Sequence, residues 1–172
     1  MLDDVLYMIG QLLGIVAVIL GFVCFQMKSP RGILAFQMIV ASVFSAHYLL
    51  IGAYTAVALN LLAAVQCVFY YFRNRRGSKS MVIPAVFTVL TFVAGILTWE
   101  GWYSAFIMLG LIINSVSLAF PDAQKIRYSM FVKSPACLIY NVIVLSGGGM
   151  IYEGAVLVSA VIGTLKERKK RT

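Results

Sequence analysis

Long apolar runs are the feature that most restricts what this chain can fold into. A helix that crosses a bilayer needs about 20 mostly apolar residues, and seven runs of roughly that length are separated here by short segments rich in charge, Gly or Pro. The runs are Val5–Met27, Ile33–Ile51, Ala53–Phe72, Met81–Trp99, Trp102–Phe120, Tyr128–Ser146 and Met150–Leu165. We therefore predict an all-α polytopic membrane protein with seven transmembrane helices.

The composition supports a lipid environment and excludes a soluble enzyme. Hydrophobic residues make up 62% of the chain and charged residues 12%, whereas soluble domains are about half apolar and a quarter charged. The net charge of +8 would suggest nucleic acid in a soluble domain. Here the basic residues form short clusters between the apolar runs, which favours contact with anionic lipid. We expect the lipid bilayer, and not nucleic acid, as the partner.

The placement of basic residues predicts the orientation in the membrane. When seven crossings are threaded, all 14 Lys and Arg residues fall on one side, with Lys133 near the start of the sixth helix. The other side carries Asp3, Asp4 and Glu100, with Glu153 near it. Because basic loops stay in the cytoplasm, we predict an outer N-terminus and a cytoplasmic C-terminus.

Four polar residues inside the runs are candidates for a substrate site. Polar side chains at membrane depth are costly and usually face the protein interior or a water-filled cavity. His47 and Asn60 have two interpretations each, an interhelical hydrogen bond or a contact with a ligand. Glu153 is either a solvated carboxylate at the interface or a buried functional group, and Asn141 could be its partner. We predict that these four side chains bind a small polar solute in one water-accessible cavity.

Matched polar spacing predicts an internal repeat within a single transmembrane domain, residues 1–172. Residues 1–79 and 101–172 would be parallel three-helix units, and residues 80–100 a linker helix. The matched pairs, with one residue of slippage after the first, are His47 with Asn141, Asn60 with Glu153, Gln66 with Ser159 and Arg73 with Lys166.

Motifs of catalytic and cofactor sites are absent from the sequence. There is no phosphate-binding Gly-x-x-x-x-Gly-Lys, no zinc-binding His-Glu-x-x-His and no Gly-x-Ser-x-Gly nucleophile turn. The cysteines lack metal-ligand spacing and are interpreted as small buried hydrophobes. We therefore predict no enzymatic activity, catalytic residue, metal or cofactor. The spacing Gly10-x-x-x-Gly14 indicates close helix packing.

Two local motifs resemble the bacterial YgjV-type inner-membrane proteins. The segment from His47 to Tyr54 is similar to the family's His-aromatic-x-Leu-Leu-Gly-small-Tyr, and the stretch from Asn141 to Gly154 resembles its Asn, Gly-Gly and Met-Ile-Glu-Gly pattern. Gln66 stands where the family usually has Arg, and Tyr140 where a His can precede the Asn, so no role for those groups is carried over. The resemblance covers nearly the whole chain and implies location in the inner membrane.

The predicted plan of three helices, one linker and three helices is also similar to the SWEET and PQ-loop group and to PnuC-like vitamin permeases. In the sugar carriers of that group an Asn in the third helix of each unit lines the central cavity. Asn60 matches this position, and Glu153 approximates it. The resemblance implies a small-solute transporter with a cavity between the two units. The alternative is a non-transporting receptor, binding or assembly module of the same fold.

Overall fold

A computed structural model describes residues 2–26, 29–78, 80–120 and 123–171 and is helical nearly throughout. These residues form seven helices, which is the number predicted. They are α1 Leu2–Gln26, α2 Pro30–Leu50, α3 Tyr54–Arg75, α4 Val82–Leu97, α5 Ser104–Leu118, α6 Ala123–Ile143 and α7 Gly147–Arg171.

Three of these helices, within the described residues, are long and apolar enough to cross a membrane by length and composition. The candidate membrane spans are Asp4–Cys24 in α1, Arg31–Leu50 in α2 and Tyr54–Arg75 in α3. Shorter apolar helices cover Val82–Leu97, Ser104–Leu118 and Gly147–Ile162. At about 1.5 Å per residue, the 16 residues of α4 and the 15 residues of α5 do not by themselves reach the thickness of a hydrocarbon core, about 30 Å.

Six helices form a ring, and α4 packs on its outside. α2 lies between α1 and α3, and α6 lies between α5 and α7. The ring closes where α1 packs against α7 and α3 packs against α5, and α4 covers α3 and α5. Each of the six ring helices contributes buried side chains to the central core, among them Ala17, Phe44, Leu59, Ile107, Tyr140 and Val156.

The contacts between helix ends show that successive helices run in opposite directions. The start of α1 lies beside the α6–α7 turn, because Tyr7 Oη donates to the Leu145 carbonyl over 2.9 Å. Glu100, between α4 and α5, contacts the start of α3 at this same end, which we call the N-terminal end. At the opposite end Arg73 Nη1 donates to the Ala119 carbonyl over 3.1 Å. We call this the basic end, since it also carries the exposed Arg31, Arg75 and Arg76.

The α2–α3 and α6–α7 turns have the same hydrogen-bond pattern. Ala53 N donates to the Tyr48 carbonyl over 2.9 Å in the first, and Ser146 N donates to the Asn141 carbonyl over 2.9 Å in the second. Directly before each donor the chain takes a positive φ, the left-handed conformation that commonly ends a helix. These residues are Gly52 at 77° and Leu145 at 54°.

With the two turns superposed, the alignment of the halves differs from the one that the sequence suggests. The turns match Asn141 with Tyr48 rather than with His47. Tyr48 and Asn141 are 93 positions apart, and so are Asn60 and Glu153, so the slippage of one residue is not needed.

Glycine brings α1 and α7 into backbone contact where the ring closes. A Cβ added to Gly14 would lie 3.0 Å from the Cα of Gly148 and 3.1 Å from the ring of His47. Gly14 therefore marks a close helix crossing, and a Cβ added to Gly10 would lie 3.0 Å from the side chains of Leu50 and Ile51 at the end of α2.

Candidate functional site

A narrow cavity of about 50 Å³ lies among the ring helices. One water molecule needs about 10–15 Å³ by this measure, so the cavity has room for a few waters. Its lining combines aromatic and small apolar side chains with four amides and one pair of opposite charges. These polar groups are Gln37, Asn60, Asn114, Asn141, Lys133 and Glu153.

The charged pair is buried in the cavity wall. Lys133 Nζ on α6 lies 3.4 Å from Glu153 Oε1 on α7, and the two side chains are only 6% and 7% exposed. The same ammonium group lies 5.7 Å from the ring centroid of Tyr152, within the range of a cation–π contact. Removing either ion from water costs several kcal/mol, so each charge depends on the other for its compensation.

This pair corrects two interpretations of the sequence. Lys133 is not one of the solvated basic residues that set orientation, because it is 4% exposed and faces the cavity. Glu153 is not an interfacial carboxylate, because it is 5% exposed. Its ion-pair partner is Lys133, while Asn141 Oδ1 accepts a hydrogen bond from Tyr48.

Tyr48 and Asn141 join the two halves at the edge of the cavity. Tyr48 Oη donates to Asn141 Oδ1 over 2.6 Å, and both residues are buried. Each belongs to the last turns of its helix before the N-terminal end. The bond therefore lies on the side of the cavity toward the N-terminal end.

Asn60 faces the cavity from α3 and is 8% exposed. Its Nδ2 donates to the Ala56 carbonyl of its own helix over 2.9 Å. This bond joins no second helix, so it gives no support to the interpretation of Asn60 as an interhelical hydrogen bond.

Two buried oxygen atoms in the cavity lining have no hydrogen-bond partner among the residues that the structure describes. They are Glu153 Oε2 and Asn114 Oδ1. Buried polar groups in proteins are nearly always paired with protein or ordered water. Both atoms are acceptors whose hydrogen-bonding capacity is not used by the described residues in this conformation.

His47 lies beside the cavity rather than in its lining. Its ring is fully buried, with Nδ1 2.7 Å from the Gly10 carbonyl oxygen and Nε2 2.7 Å from Ser146 Oγ. Ser146 Oγ also accepts from Gly149 N over 3.1 Å in the first turn of α7. In this conformation His47 joins α1 and α2 to the start of α7 at the N-terminal end.

Four lining residues of α2 and α3 each lie 93 positions before another lining residue, the separation of the bonded Tyr48–Asn141 pair. The two halves thus contribute matched positions with different chemistry, and both charges belong to the second half. The pairs are Val40 with Lys133, Phe44 with Cys137, Tyr48 with Asn141, and Asn60 with Glu153.

Sequence reasoning missed Lys133, Tyr48 and Asn114 as residues of the cavity. The sequence did contain a signal for Lys133, because this residue stands more than one turn inside an apolar run rather than beyond its edge. Tyr48 lay next to His47, and the error of one residue in the alignment hid it. Within the described ranges, no group of three His, Cys, Asp or Glu side chains is placed to hold a metal ion.

Comparison with known proteins identifies the family. The family model Imp-YgjV, described as a bacterial inner membrane protein, matches residues 8–171. The chain is similar to the inner membrane protein YgjV of Escherichia coli (strain K12), with 24% identity over 151 residues that cover 88% of this chain and 80% of the relative. No solved structure matches the chain. The chain belongs to the Imp-YgjV family of bacterial inner membrane proteins.

Proposed function

We propose that the protein is a carrier that moves a small polar solute through the central cavity. The observation that carries this proposal is a buried cavity with four amides and an ion pair, in which two acceptor atoms have no described protein partner. Such polar groups at membrane depth are costly and typically mark a solute pathway.

The proposal includes seven crossings arranged as two parallel three-helix units with α4 as linker. The ring order supports this, because the contact of α1 with α7 and that of α3 with α5 are equivalent under a twofold rotation that exchanges the units. The matching turns and the four matched lining pairs support it as well. Sites at the interface of such repeats are typical of carriers.

In the proposed orientation the N-terminal end is periplasmic and the basic end cytoplasmic. The exposed Arg31, Arg75 and Arg76 support this, since basic segments stay in the cytoplasm. Trp99 and Trp102 are 44% and 67% exposed near the N-terminal end, where aromatic side chains commonly lie at the level of the lipid headgroups.

Hydrogen bonds between the units close the periplasmic side in this conformation. They include Tyr48 with Asn141 and His47 with Ser146. Gln11 adds two, because its Nε2 donates to the Leu145 carbonyl over 2.8 Å and its Oε1 accepts from Gly147 N over 3.0 Å. Outward opening requires these bonds to break together, while the hydrogen bonds of Gln66 and Tyr70 to Ser115, and of Arg73 to Ala119, hold the units nearer the basic end.

The test is untargeted uptake into liposomes containing the purified protein. We expect at least one small polar solute from a metabolite extract to equilibrate faster than in protein-free liposomes. Asn60→Leu, which removes an amide from the lining, should slow that solute. Leu61→Ala should not, because Leu61 is 53% exposed and faces away from the cavity.

Solute that binds the purified protein but never crosses the liposome membrane would overturn the carrier proposal and favour a receptor or assembly module. The small volume of the cavity in this conformation is the observation that keeps this second function open. The same conclusion would follow if wild-type and protein-free liposomes took up every solute at equal rates.

A further inference from the structure

The groups around the ion pair narrow the class of solute that the cavity can accept. Lys133 and Glu153 both lie in the lining, and each is nearly excluded from water. Among the described residues, Glu153 Oε2 and Asn114 Oδ1 are acceptors without a partner. An ammonium group has three donors, and Lys133 has its ion-pair contact with a single oxygen atom of Glu153.

The charges of the pair decide between classes of solute. A solute with only a positive group would compete with Lys133 for Glu153 and leave one buried cation uncompensated. A solute with only a negative group would compete with Glu153 for Lys133 and leave one buried anion uncompensated. Removing one partner from a buried pair is strongly destabilising, so both classes of solute are disfavoured in this cavity.

A solute that carries both charges avoids this cost. Its carboxylate can bind Lys133 while its ammonium group binds Glu153 and donates to Asn114 Oδ1, so every charge in the cavity keeps an opposite neighbour. Charge-assisted hydrogen bonds of this kind are about twice as strong as neutral ones. The aromatic ring of Tyr152, already 5.7 Å from Lys133 Nζ, offers a second surface to a cation.

We infer that the cavity binds a small zwitterion, a molecule with one carboxylate and one ammonium group a few bonds apart, held by Lys133 and Glu153. This inference rests on the proposed function for the path by which the solute reaches the cavity, but the inference itself concerns only binding. The small cavity restricts the solute to a few heavy atoms beyond the two charged groups.

The test is equilibrium binding of radiolabelled three-carbon compounds to the purified full chain in detergent. Alanine and β-alanine are the zwitterions, and propionate, propylamine and propionamide are their anionic, cationic and neutral counterparts. We expect saturable binding of at least one zwitterion, with each counterpart at least about tenfold weaker, the ratio that corresponds to about 1.4 kcal/mol.

Variants separate recognition from folding. Lys133→Met with Glu153→Gln removes both charges while roughly keeping the side-chain volume, so the double variant leaves no buried charge uncompensated. It should remain monodisperse and lose the preference for the zwitterion. Arg76→Ala, at an exposed position of the basic end, should bind as the wild type does.

Three results would overturn the inference: no saturable zwitterion binding, equal binding of propionate or propylamine, or unchanged zwitterion binding in the folded double variant. The outcome is distinct from that of the uptake experiment. Uptake of a solute that is not a zwitterion would sink this inference and leave the carrier proposal in place. Binding of a zwitterion without uptake would support this inference and overturn the carrier proposal.

Discussion

The residues that matter most for this account are Lys133 and Glu153, because a buried ion pair makes its two members interdependent. We predict that Lys133→Met or Glu153→Gln alone lowers the free energy of unfolding by about 3–5 kcal/mol, because each substitution leaves the remaining partner as a buried charge without an opposite charge beside it. The double variant should cost less than the sum of the two. Chemical denaturation of the protein in detergent measures all three values.

Arg76→Ala is the control for this comparison of the two single variants with the double variant. Arg76 is exposed, and surface substitutions away from special features usually stay within about 0.5 kcal/mol. If the Lys133 and Glu153 variants were no more costly than Arg76→Ala, or if their effects simply added, the two groups would not form an energetically coupled pair.

At the residue scale the sequence predicts which side chains are unusual better than it predicts their partners. Asn60, Asn141 and Glu153 were identified because polar groups stand out in apolar runs, and all three line one cavity. Their partners depend on helix rotation and register. An error of one residue in the alignment therefore matched His47, instead of Tyr48, with Asn141. The contact of Lys133 with Glu153 was not predicted, because it joins two helices whose relative rotation cannot be read from the sequence.

At the scale of helices, Glu100 holds the start of α3 although it belongs to the α4–α5 connection. Its Oε1 and Oε2 accept from Tyr54 N and Thr55 N over 2.9 and 3.0 Å, and a negative charge there also interacts favourably with the helix dipole. We predict that Glu100→Ala lowers the free energy of unfolding by about 1–2 kcal/mol. Glu100→Gln, which keeps one acceptor, should cost less in the same denaturation assay, and equal losses would contradict the capping role.

The crossing of α1 and α7 gives a second prediction for helices. Gly148→Ala should destabilise the protein, because its Cβ would collide with the backbone of Gly14. Gly154, in the same helix, has no other atom within 4 Å of an added Cβ, so Gly154→Ala should be neutral or stabilising by up to about 1 kcal/mol. Thermal unfolding of the two variants compares them, and a stable Gly148→Ala variant would place the crossing elsewhere.

The number of helices was predictable because each needs only a long apolar run between breaks. The residues at which the helices begin and end were less predictable. The predicted fifth helix began at Trp102, but α5 begins at Ser104, since Glu100 N donates to Ser104 Oγ over 3.2 Å and the preceding residues form a turn. The predicted seventh helix began at Met150, whereas α7 begins at Gly147, where Gln11 accepts from the first amide.

For the whole molecule, orientation is the first prediction to test. A reporter that is active only in the periplasm should be active when inserted between Glu100 and Gly101. It should be silent when fused after Thr172, because the clusters of Lys and Arg stay in the cytoplasm. Activity after Thr172 would contradict the proposed number of crossings.

The central claim is that the cavity opens in turn to each side of the membrane, and native cysteines offer its test. Cys137 lines the cavity and is 2% exposed, whereas Cys67 is 3% exposed and packs in a separate core cluster with Tyr70 and Phe87. Each can be kept as the single cysteine by replacing the other two with Ala. Ser78→Cys in a cysteine-free background, at an exposed position of the basic end, is the positive control for labelling at that end.

The measurement is the rate of reaction with a membrane-impermeant thiol reagent in vesicles of both orientations. We predict that Cys137 reacts from both sides and Cys67 from neither, and that Tyr48→Phe, which removes the bond to Asn141, raises the rate for Cys137 from the periplasmic side. If Cys137 is as inert as Cys67 from both sides, with and without Tyr48→Phe, the cavity does not open and the carrier account is wrong.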